Sequence, residues 1–122
     1  MVLTGSILAD VRDNTKTRLE TIMTYGAVGD DNTTPVSTDT TLGNENFRDS
    51  IDEFDSSATA TIVASLRILT TENNGETMRE AGWFDDPAAG TMWTRNTFTA
   101  ISKTADIQFF VDTSIEIVVT GT

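Results

Sequence analysis

The sequence predicts an all-β protein, an antiparallel β-sandwich of jelly-roll-like kind with one N-terminal helix. Three observations predict it. Threonine is frequent and, with valine and isoleucine, suits a pleated surface, because branched side chains have few rotamers to lose there. Several stretches alternate apolar and polar residues with the period of two that a half-buried strand requires. Clusters of Gly, Asn, Asp and Pro separate those stretches as turns. At 122 residues the chain is expected to be one domain, 1–122, with a single core.

The helix comes first. Over 6–20, Ile7, Leu8, Val11 and Leu19, followed by Ile22, recur at roughly helical spacing; Ser6 is available as a cap, and Lys16 and Glu20 form an i,i+4 pair. Residues 1–20 are therefore expected to be a helix or arm. A β-branched and aromatic strand ending in glycine follows over 21–29. Residues 30–46 are polar and turn-rich and should be a surface loop, long enough to be functional or to become ordered against a partner.

An edge strand is expected over 47–54, and a sandwich strand over 59–69, where Ala60, Ile62, Ala64, Leu66 and Ile68 share a face. Asn74-Gly75 reads as a hairpin turn. Strands over 77–84 and 92–101 flank a turn over 85–90, and 102–105 turns the chain again. The last strand, 107–120, carries the clearest alternation, with Ile107, Phe109, Val111, Thr113, Ile115, Ile117 and Val119 on the face expected inside.

Composition narrows function. The chain has no cysteine and no histidine, which removes thiolate metal sites, cysteine nucleophiles and histidine acid/base chemistry. We expect no cofactor, no metal and no enzymatic activity. A net charge of −11 repels phosphate backbones, so no nucleic-acid partner is expected. No apolar run approaches the ~20 residues that cross a bilayer, and Met1 to Gly5 lacks a basic n-region, so membrane insertion is not expected either. Only Lys16 and Lys103 are lysines, while twelve of nineteen acids are aspartates. Such an acidic, lysine-poor surface stays hydrated where salt screens charge within ~3 Å, so a halophilic host is the expected setting and an ordinary acidic domain the alternative.

One order of motifs is familiar. Tyr25-Gly-Ala-Val-Gly29 is followed by Thr33-Thr-Pro35, by Thr38-Asp-Thr-Thr-Leu42, and by Asn44, Glu45 and Arg48. Glu80-Ala-Gly-Trp-Phe-Asp85, Gly90-Thr-Met-Trp-Thr-Arg95 and Ile101-Ser-Lys-Thr104 complete it. The series, spanning about 21–120, resembles small virion structural proteins, of the tail-fibre or minor structural kind, from tailed phages and haloarchaeal tailed viruses. That resemblance implies a β-sandwich built into a symmetric homo-oligomer, located in the virion after assembly in the host cytoplasm. Its partners would be copies of itself and other virion proteins. A receptor- or glycan-binding module meeting the host cell surface is the alternative.

Several residues stand out as candidates. Leu42 is expected to anchor the long loop to a neighbouring subunit, and Arg48 and Arg95 to form intersubunit pairs with the abundant carboxylates. Trp83 and Trp93 flank the 85–90 turn and offer either a recognition platform or core packing. Asp30-Asp31 and Asp85-Asp86 read as turn-forming pairs, since Asx side chains bond neighbouring amides more often than they catalyse or bind cations.

Overall fold

The computed structural model describes residues 9–117. A helix α1 (Ala9–Ile22) precedes seven strands: β1 (Tyr25–Gly29), β2 (Glu45–Ser50), β3 (Glu53–Asp55), β4 (Thr61–Ile68), β5 (Thr77–Phe84), β6 (Met92–Ser102) and β7 (Phe109–Glu116). They form two antiparallel sheets, one ordered β2-β1-β5-β6 and one ordered β3-β4-β7. The all-β expectation with a β-sandwich arrangement holds at this level.

The core lies between the sheets. Val28, Met78, Ala81 and Trp83 from the first sheet meet Ala64, Leu66 and Ile68 from the second, with Met23 closing the helix end. Gly26 sits where Trp83 crosses β1: a Cβ there would collide with the indole ring. Gly29 is similarly constrained, because the Asn44 carbonyl and the Glu80 carboxylate occupy the space a side chain would need. The glycines of the Tyr25–Gly29 motif thus admit close neighbours on both sheet faces.

Four expectations are corrected. The helix runs to Ile22, so the first strand begins only at Tyr25, while Ser6, Ile7 and Leu8 fall outside the described residues. The helix keeps only part of the apolar stripe expected: Leu19 packs on the core, Val11 is 53% exposed, and Lys16 supplies a polar anchor. Its buried Nζ donates to the carbonyls of Ser56 at 2.8 Å and Ala58 at 2.6 Å, which closes the strand connection beneath the helix.

The single edge strand expected over 47–54 is two strands in different sheets. The chain crosses at Ile51 and Asp52, whose amides bond the carbonyls of Thr24 and Ser65 respectively. Finally, Asn74-Gly75 does turn the chain, with Asn73 at φ 53° and Gly75 at φ 86°, but it joins β4 of one sheet to β5 of the other instead of closing a hairpin. The last strand is described to Glu116, and 118–120 lie outside the described residues.

Candidate functional site

Two regions differ from an ordinary sandwich surface. The first is the outer face of the four-stranded sheet, where loop 30–44 lies across β5 and β6. Glu80, fully buried, sits in the middle of β5. Its carboxylate accepts the amides of Gly43 at 2.9 Å, Asn44 at 2.8 Å and Asp31 at 3.3 Å. It also meets Arg95 Nε at 2.9 Å. The Arg95 side chain is 5% exposed and reaches Asp39 at 3.0 Å and Asp31 at 3.7 Å.

Each nitrogen of the guanidinium therefore lies near a carboxylate, with hydrogen bonds to Glu80 and Asp39 and a longer ion pair to Asp31. Burial pulls the Arg95 pKa down, but the hydrogen bonds and charges of Glu80 and Asp39 outweigh it and leave the group above its ordinary value. Asp31 is held below the usual carboxylate range, chiefly by hydrogen bonds from Thr33 and also by the charge of Arg95. The arrangement resembles a cation site already filled by an internal guanidinium.

Leu42 and Arg48 belong to the same closure. Leu42, expected as an intersubunit anchor, is 6% exposed and packs on Ala27 and Phe84 within the chain's own fold. Arg48 lies 3.7 Å over the Phe84 ring, pairs with Glu45, and donates to the carbonyls of Asp86 and Ala89. The guanidinium groups of Arg48 and Arg95, expected in intersubunit pairs, are both engaged within the chain. The Asp85-Asp86 turn is built as Asx chemistry dictates, with Asp86 accepting Ala88 and Ala89 amides and Asp85 accepting the Thr91 amide. Those amide bonds hold Asp86 below the usual range. Among the described residues no group of three or more acidic side chains has the geometry of a metal site.

Trp83 and Trp93 do not form a common platform. Trp83 is 1% exposed in the core, whereas Trp93 is 43% exposed and borders a notch with Pro35 and Val36.

The second region is the side of the sandwich where β6 and β7, the end strands of the two sheets, run past each other. Between them lies a cleft of about 520 Å³ lined by Met78, Phe98, Ile101, Phe109, Phe110 and Val111. Phe110 is 59% and Ile101 38% exposed, and Phe109, Val111 and Ile115 only partly cover the core. The sequence reading placed these residues on strands but gave none of them a role in a site. The signal was present, since Phe109-Phe110 sits at the start of a strand otherwise patterned for one buried face.

No family model matches the chain, and no curated protein matches it significantly.

Proposed function

We propose that this chain is a non-catalytic structural subunit of a tailed-virus particle, a jelly-roll-like sandwich that assembles into a symmetric oligomer. The observation that carries the assembly reading is the open β6/β7 side. A domain whose net charge is −11 leaves aromatic and aliphatic side chains uncovered along two adjacent strand edges, where water is a poor solvent and another chain a good one. The motif order from Tyr25 to Thr104 supplies the virion assignment. A halophilic setting is supported by burial of both lysines, 7% exposed for Lys16 and 1% for Lys103, which leaves the described surface without a lysine ammonium.

The test is direct. Tailed particles from producing cells, banded by density, should contain the chain as a stoichiometric component resistant to washing. Recovery only in the soluble fraction would refute the reading. The alternative, a receptor- or glycan-binding module, is favoured by Trp93 beside Pro35 and Val36; it expects Trp93→Ala to abolish binding of the isolated protein to host envelope material.

A further inference from the structure

The sandwich has four strand edges, and three are protected. Strand β3 is only three residues long and carries Glu53 and Asp55. The β2 edge carries Glu45, Arg48 and Asp49, with an irregularity at the end of its pairing to β1. The β6 edge is bent by register shifts near both ends of its pairing with β5. Short length, charge and bulges are the usual means of discouraging strand addition.

Strand β7 has no such protection. It pairs with β4 continuously from Phe109↔Ile68 to Glu116↔Thr61, with no shift of register, and it ends its sheet. Its outer edge is thus a straight row of backbone donors and acceptors beside an apolar cleft. Among the described residues no strand covers it.

We infer that the occupant is β7 of a second copy, paired antiparallel about a two-fold axis through Thr113. The inference rests on the assembly reading above and names its contact. Antiparallel pairing in a continuous sheet must keep inward residues opposite inward residues, so the axis passes through a residue position. Among the three central positions of β7, 112 to 114, the charges then select one. Centred on Asp112, the pairing opposes that carboxylate to its own copy; centred on Ser114, it opposes Asp112 to Glu116.

Centred on Thr113, no acid meets an acid. Asp112 faces Ser114, Glu116 faces Phe110, and Thr113 faces Thr113. On the inner side Val111 faces Ile115 and Phe109 faces Ile117, so the half-buried apolar row gains a matching row. This register also uses the whole of β7, from Phe109 to Glu116. It joins two three-stranded sheets into one of six. In a chain this acidic, a contact strip whose charges are all offset from their copies is what lets like associate with like.

The absence of cysteine makes the test clean, because each introduced thiol is the only one. Directly opposed residues have Cβ atoms ~4.5–5.5 Å apart. Thr113→Cys should therefore link to its copy by oxidation or a short bis-thiol reagent, and Thr99→Cys on β6 should not. Ser114→Asp creates two symmetric acid pairs and should weaken association roughly tenfold, while the exposed position leaves the melting temperature unchanged. The double variant Asp112→Ser, Ser114→Asp exchanges the partners and should restore association. Sedimentation is best done at the lowest salt that keeps the fold, since ~1 M salt screens beyond ~3 Å. Association with no Thr113→Cys link, or unaffected by Ser114→Asp, overturns the β7 contact alone. A wild-type chain that stays monomeric at all concentrations overturns both this contact and the assembly reading.

Discussion

The outer face beneath loop 30–44 and the β6/β7 side solve opposite problems. The loop is polar and has little apolar surface of its own, yet it is fixed within the chain by one buried carboxylate that accepts three of its amides. The β6/β7 side is rich in apolar groups, yet Phe110 and Ile101 stay exposed because both sheets end there. Order in a segment thus follows from whether its backbone groups find charged partners. The polar segment is closed in cis, and the apolar one is left for a contact in trans.

The sharpest way to break the comparison is Glu80→Ala. It removes the acceptor of three amides and leaves Arg95, 5% exposed at its side chain, without its fully buried partner. Breaking a buried ion pair from one side costs about 3–5 kcal/mol, and the lower figure is expected because Asp39 remains. Denaturant unfolding should show that loss, with faster amide exchange at Asp31, Gly43 and Asn44. A change under about 0.5 kcal/mol, the range of ordinary surface substitutions, would mean that Leu42 and the Arg95–Asp39 pair hold the loop without Glu80.

On the open side the effects should be smaller. Ile115 packs partly against the core and Glu116 is exposed, so Ile115→Asp is expected to cost roughly 1–3 kcal/mol and Glu116→Ala under about 0.5. A fully interior position would be costlier; an edge strand lets the carboxylate lean toward water. Equal melting of the two variants would refute the facing of β7.

What was legible in the sequence follows the same division. Strand β4 and the inward parity of β7 were readable because their side-chain alternation is local. The split near Ile51 left a trace: Phe47 and Ile51 share one parity and Phe54 the other, while all three pack on the core. That parity change marks a chain changing sheets. That loop 30–46 is tied down within the chain was not legible, because composition does not show which backbone amides find an acceptor. The missed residue is Glu80, an acid set among Met78, Ala81, Trp83 and Phe84; an acid in such a strand needs a buried partner, and Arg95 on the next strand supplies it. Lys16 and Lys103 entered the sequence reading only as the two lysines of the chain, with Lys16 paired to Glu20; the structure spends both on internal carbonyl and amide oxygens. The open cleft was legible only as far as Phe109-Phe110, an aromatic pair that breaks the one-face pattern; its place depends on which strands end the two sheets.

Acidification gives the smallest effect and the finest discrimination. Asp31 is lowered by Thr33, Asp86 by the amides of Ala88 and Ala89, and Asp55 by Ser57, so each binds a proton less readily when folded than when unfolded. Their contribution is complete above the ordinary aspartate value of about 3.9 and is lost as pH falls through the lower folded values. A second effect has the opposite sign, because protonating carboxylates relieves the repulsion of a chain at −11. In ~1 M salt, where charges are screened within ~3 Å, the repulsion is largely removed and the linkage remains. Melting temperature should then be flat above about pH 5 and fall below about pH 4. Carboxyl titration by NMR should find Asp31 and Asp86 below the ordinary range, with loop 30–46 and turn 85–90 exchanging faster as they protonate while β4 and β7 stay protected. Ordinary titration of both groups, or simultaneous loss of protection in β7, would show that the closed face and the open side unfold as one unit and that the division between them is not energetic.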